Sequence, residues 1–127
     1  MPLVMNTAIT HKPIGDVSLT WGESLCWDER KERLYFVDCA TQKLYWMDQA
    51  RIPLFELDLP SKPAGMGLIE NGQIIMALDN GLNIVDPESS VIELLAPYPA
   101  GLNGRANDAT IDNNGNFITG TLRAEAG

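Results

Sequence analysis

The sequence predicts an all-β fold built of β-propeller blades: two full blades and the first hairpin of a third. Three observations carry this. Strand-length apolar runs separated by turn residues recur along the chain, and helical periodicity is hard to find. Three hairpins repeat, and the acidic residues at the start of their turns, Asp28, Glu70 and Asp112, are separated by 42 residues and again by 42. Between the hairpins lie further strand-like pieces, giving about four strands per repeat, which is the signature of a blade. A single antiparallel sandwich also has short strands and frequent turns, but it has no reason to keep a constant spacing.

The elements follow in order. The first hairpin pairs ESLCW (23–27) with RLYFVDC (33–39) across the charged turn DERKER. KLYWMD and PLFELDL then supply the outer strands of the first blade. The second hairpin pairs AGMGLIE (64–70) with QIIMALD (73–79) across Asn71-Gly72, a pairing signal because glycine accepts the positive φ of such turns. GLNIVD and VIELLAP complete the second blade. The third hairpin pairs NDATID (107–112) with NFITGTL (116–122) across an Asn-Asn-Gly turn. Propellers close with four to eight blades, so 127 residues of this kind leave an open sheet edge. Two expectations follow: the chain is a fragment of a propeller about twice as long, or two or more copies assemble through the open edges.

Bulk properties bound the function. Hydrophobic residues at 45% and charged residues at 20% are those of a globular protein. A net charge of −8 argues against nucleic acid, whose phosphates require clustered Lys and Arg. No apolar run approaches the ~20 residues of a membrane span, and the opening residues lack the charged and apolar regions of a signal peptide. Cys26 and Cys39 do not make a disulfide framework. In the first hairpin Cys26 faces Tyr35 and Cys39 faces Gly22, so the thiols stand about four residues out of register, roughly 13 Å at ~3.3 Å per residue. Two buried free thiols point to a cytoplasmic location. His11, the single histidine, reads as surface filler.

Three features exceed what folding requires. Glu23 begins the leading strand of the first blade, the strand that lines a propeller's channel, where a carboxylate is costly unless it meets water, a cation or a basic partner. Arg105, Asn107 and Asp108 load the start of the third leading strand with a guanidinium, an amide and a carboxylate. Counted back from the turn acids, Glu23 and Asn107 each stand five residues before, so the polar outliers of the two blades are expected to point into one funnel. The second-blade equivalent is Gly65, which leaves room for a ligand or merely permits a strand start. Glu125 follows the third hairpin. The sequence offers no Ser-His-Asp set, Cys-x-x-Cys, HExxH or phosphate-binding glycine loop, and no catalytic residue is assigned.

The stretches WGESLCWDERKERLYFVD and GRANDATIDNNGNFITGTL together resemble the senescence marker protein/gluconolactonase/regucalcin family, over nearly all of the chain from Trp21 to Glu125. The resemblance implies a six-bladed propeller, of which residues 1–127 are the N-terminal half, with a divalent cation (Ca²⁺ or Zn²⁺) in the channel and hydrolysis of sugar lactones. It implies Glu23 as a metal ligand and Arg105, Asn107 and Glu125 as substrate contacts. Leu25 and Ala109 depart from the family's proline and glycine. The family's remaining metal ligands, an asparagine and an aspartate, come from later blades, so the 127 residues alone are expected to be inactive. The alternatives are a non-catalytic half-propeller that binds a partner or self-assembles, and a scaffold with a merely similar blade pattern.

Overall fold

A computed structural model describes residues 8–48 and 51–123, with the backbone alone for 51–53. Among them are ten strands and no helix. Strands β1 (Gly22–Asp28), β2 (Arg33–Asp38), β3 (Lys43–Asp48) and β4 (Arg51–Asp58) form one antiparallel four-stranded meander. Strands β5 (Pro63–Leu68), β6 (Ile74–Leu78), β7 (Gly81–Asp86) and β8 (Val91–Ala96) form a second. Strands β9 (Gly104–Ile111) and β10 (Phe117–Arg123) form a hairpin, and among the described residues β10 pairs with β9 alone. The expected two blades and a hairpin are therefore present, and the turn glycines Gly72 and Gly115 have φ of +88° and +82°, as their turns require.

Blades pack face to face because each sheet alternates apolar side chains between its two faces. Tyr35, Val37, Leu44 and Trp46 of the first blade meet Met66, Ile74, Met76, Leu78 and Val85 of the second in one buried cluster. The second blade meets the hairpin through smaller groups, Ala64, Ala77 and Ala106, with Phe117 and Tyr98 at the margin. Small side chains let backbones approach closely. A Cβ added to Gly65 would lie 2.6 Å from the backbone nitrogen of Ala109 and 2.7 Å from its Cβ. Gly65 is therefore neither ligand space nor a loose strand start: glycine is needed for the contact between β5 and β9.

At the turn end, the first hairpin's charges hold the second blade. Arg30 donates to the carbonyls of Glu70 (2.5 Å) and Ile69 (3.3 Å), and Lys31 to that of Gly72 (3.0 Å). Arg33 pairs with Glu88 and Asp48. The opposite face of the first blade is apolar, and Ile14, Val17 and Leu19 border a cleft of about 380 Å³ against Leu34, Phe36 and Met47.

Candidate functional site at the strand starts

Each leading strand, β1, β5 and β9, carries a β-bulge near its start. The register slips between Glu23 and Cys26, between Pro63 and Gly65, and between Ala106 and Asp108. Bulges twist a strand and re-aim side chains, and they concentrate beside functional sites. Ser24 takes a left-handed φ of 55° inside the first. In the third, Asn107 is the unpaired extra residue, between Ala106 opposite Thr121 and Asp108 opposite Gly120.

The observed register corrects two sequence expectations. Cys26 does face Tyr35, but Cys39 bonds through its amide to the carbonyl of Trp21 and not to Gly22, because the bulge adds a residue to β1. The thiols are free, as expected. The blade alignment also shifts. Gly22, Pro63 and Ala106 each pair with the corresponding residue of the next strand, Asp38, Leu78 and Thr121. The next position is then Glu23, Ala64 and Asn107. Glu23 and Asn107 are equivalent, as the spacing implied, but the second blade contributes buried Ala64 and not Gly65. The turns of the second and third hairpins close between Ile69 and Gln73 and between Asp112 and Asn116, so counting from Glu70 is one residue out.

One position earlier stand Trp21, Lys62 and Arg105, and these three meet. The Arg105 guanidinium carbon lies 5.4 Å from the centre of the Trp21 ring, and the Lys62 ammonium lies 5.7 Å from it. Both are within the ~6 Å at which a cation is attracted to an indole face. The same indole donates from Nε1 to Glu23 Oε1 at 2.7 Å, and the Cys39 thiol approaches Glu23 Oε2 at 3.9 Å. Glu23 and Arg105, which the repeat places in one funnel, are thus joined through Trp21. Asn107 and Asp108 are exposed on the same strand as Arg105. Asp108 is spent locally, accepting from the Ala109 amide at 2.8 Å. Glu125 lies outside the described residues.

Sequence reasoning missed Trp21 and Lys62. The signal was the repeat itself: aligned on the strand starts, the three blades place an indole and two cations at one position.

Buried Asp38 fixes the chain at Trp21. Its carboxylate accepts from the amides of Thr20 (2.8 Å), Trp21 (3.1 Å), Ala40 (3.0 Å) and Thr41 (3.3 Å). Burial alone pushes the Asp38 carboxyl up, but these donors outweigh it and hold it below the ordinary carboxylate range. Beside it, burial first and then the charges of Glu23 and Asp38 push the Cys39 thiol up to about 11, against the opposing pull of Arg105. Cys39 is accordingly a neutral hydrogen-bond donor at neutral pH.

A divalent oxygen-seeking cation takes six or more oxygen ligands. Among the described residues no three His, Cys, Asp or Glu side chains converge on one point, and Glu23 already spends one oxygen on the indole. The described residues alone do not make a cation site.

The sequence profile of the SMP-30/gluconolactonase/LRE-like region matches residues 21–127. The chain belongs to that family. Among family relatives, a 6-deoxy-6-sulfogluconolactonase of Pseudomonas putida is 34% identical over 102 residues, covering 80% of this chain and 35% of that protein. A regucalcin of Xenopus laevis is 28% identical over 105 residues, covering 82% and 35%. The crystal structure of regucalcin from Agrobacterium tumefaciens, described as a calcium-binding protein, superposes with a TM-score of 0.77 at 21% identity, over 84% of this chain and 37% of that one. The chain thus spans about a third of the length of the family members it matches, and the fold it shares with them is a part of a propeller.

Proposed function

We propose that this chain is the N-terminal portion of a sugar-lactone hydrolase of the SMP-30/gluconolactonase family, with Glu23 and Arg105 at the channel mouth. The observation that carries the reading is their convergence: a carboxylate from the first blade and a guanidinium from the third hairpin both engage Trp21. Residues with no structural need to meet are brought to one place, in a family whose named members include lactonases. Lactone hydrolysis adds water to the carbonyl carbon, breaks the ring C–O bond and gives a hydroxy acid that ionises at neutral pH. Arg105 and Asn107 suit the binding side of that reaction, donating directional hydrogen bonds to sugar hydroxyls and to the ring ester.

Glu23 would contribute one oxygen ligand toward a divalent cation, Ca²⁺ or Zn²⁺, with the remaining ligands supplied by later blades of the longer protein. The 127 residues alone therefore carry no lactonase activity, and their lactone contact is binding without turnover. The test is gluconolactone hydrolysis by the product of the whole reading frame, with and without added divalent cation, beside the 127-residue chain. Cation-dependent turnover by the first and none by the second is expected. Turnover by the short chain, or none by the long one with either cation, refutes the reading.

A second reading has its own observation. Leu25 and Trp27 at one end of the array, and Ile118 and Leu122 at the other, are large apolar side chains left 45–73% and 49–51% exposed. Such patches mark surfaces that are covered in use. In this reading the chain acts without catalysis, as a half-propeller completed by a second copy. Light scattering decides: a monomer at tens of micromolar removes it.

A further inference from the structure

Two cations share the Trp21 ring, and with Lys12, Arg30 and Arg123 they are the described basic residues that make no ion pair. Lys31, Arg33 and Lys43 each pair with a carboxylate, at 3.4 Å for Lys31–Glu88, 3.2 Å for Arg33–Asp48 and 3.0 Å for Lys43–Asp58. Arg30 instead caps two carbonyls. Lys62 and Arg105 have no carboxylate within ion-pair distance among the described residues, although acidic residues outnumber basic ones by 17 to 9. Among the described residues Arg105 makes one hydrogen bond, to the carbonyl of Ala106 at 3.3 Å, of the five its N–H donors allow. Two like charges from different blades are held against one ring, each half-exposed. An anion that reaches both lowers their mutual repulsion. Beside Arg105, a cleft of about 380 Å³ lined by Asn103, Gly104, Leu122 and Arg123 adds space and a third cation.

We propose that Trp21, Lys62 and Arg105 form a clasp for the oxyanion of an acidic sugar, with Lys62 as a ligand contact that the repeat supplies from the second blade. The proposal rests on the lactone reading and deepens it, because ring opening creates a carboxylate on the sugar chain. A sulfonate or carboxylate carried elsewhere on the sugar has the same chemistry: a compact anion flanked by hydroxyls, matched by a planar guanidinium and a point-charge ammonium. The indole holds both cations at one place.

The test is binding to the 127-residue chain, followed by ¹H–¹⁵N NMR at low and at physiological salt. The probes are gluconate, its neutral counterpart sorbitol, and a 6-sulfonated glucose. Gluconate or the sulfonated sugar is expected to bind at least about tenfold more tightly than sorbitol, with salt reducing the difference. Binding confined to one acid identifies which end of the sugar the clasp reads. Lys62→Met keeps the stem and removes the charge, and should weaken the anion about tenfold while leaving sorbitol unchanged. Arg105→Lys keeps a cation and should retain part of the affinity that Arg105→Met loses. Equal binding of gluconate, sulfonated sugar and sorbitol, no binding of either acid, or unchanged acid binding in a folded Lys62→Met chain overturns the clasp. Hydrolysis by the whole reading frame is read separately: turnover without anion preference refutes the clasp alone, and anion preference without turnover refutes the lactonase reading and leaves the clasp.

Discussion

Gly65→Ala is expected to loosen the third hairpin from the second blade. Relaxed carbon–carbon contacts lie at about 3.5–4.0 Å, whereas the added methyl would stand 2.7 Å from the Cβ and 3.0 Å from the Cα of Ala109. The strands must part by about 1 Å, and what resists is backbone, which has no rotamer to escape into. Overpacking of this kind costs about 1–3 kcal/mol, and the thin interface of Ala64, Ala77 and Ala106 has few contacts with which to absorb it. Gly67→Ala supplies the control. Its methyl would come still closer to an atom, but that atom is the terminal Cδ1 of Ile111, a side chain 38% exposed and free to turn. The expected order is a loss of about 2 kcal/mol for Gly65→Ala and under about 1 for Gly67→Ala. Urea unfolding followed by circular dichroism measures both, and amide exchange over β9 and β10 locates the opening. Adding Ala109→Gly to Gly65→Ala removes the methyl–methyl clash but not the one with the Ala109 nitrogen, so recovery should be partial. A Gly65→Ala chain as stable as the parent, or less damaged than Gly67→Ala, refutes the reasoning.

Ser24 holds a left-handed φ of 55° within the β1 bulge, so Ser24→Gly should raise stability by up to about 1 kcal/mol, read as a higher urea midpoint. Burial first, and the neighbouring carboxylates second, push the Cys39 thiol from 9.0 to about 11. At pH 8 its thiolate is then about 100-fold scarcer than that of an ordinary thiol, and alkylation in the folded chain should be at least that much slower than in urea.

Blades were legible because their determinants are local. Asn71-Gly72 and Asn113-Asn114-Gly115 dictate turns wherever they occur, and the alternation of KLYWMD or GLNIVD assigns a face to each residue without knowledge of neighbours. Glu23 and Arg105 were legible as polar residues where a strand start does not require them. Their common funnel followed from the repeat, but the contact between them did not, because it runs through Trp21, and an indole beside a glycine looks like core. Lys62 before a proline likewise looks like a loop cation. The bulges escaped too: a slip of one residue leaves no mark in composition, yet it moved the Cys39 contact to Trp21. The second-blade equivalent of Glu23 moved from Gly65 to Ala64 for another reason, because that hairpin's turn closes at Ile69 and not at Glu70. Contacts made between blades are set by register, and register is a property of pairs of strands.

Asp38 joins register to the site, and its titration should be visible in both. Its folded carboxyl lies below the ordinary range, near 3.9 in the unfolded chain, so its contribution is fully present above about pH 4–5 and is lost as pH falls through the folded value. Asp38→Asn leaves one acceptor oxygen and no charge for four amides. The expected loss at pH 7 is about 1.5–3 kcal/mol, the worth of hydrogen bonds to a charged group. As the parent Asp38 becomes protonated, the two chains approach one another, so the stability gap should narrow between pH 5 and pH 3. The amides of Thr20 and Trp21 lose their acceptor in the variant, so the indole that carries Glu23, Lys62 and Arg105 loses its anchor, and the Trp21 Nε1–H resonance should shift and broaden at pH 7. A gap that stays constant from pH 7 to pH 3, with an unchanged Trp21 resonance, would show that Asp38 neither titrates in this window nor holds the start of β1.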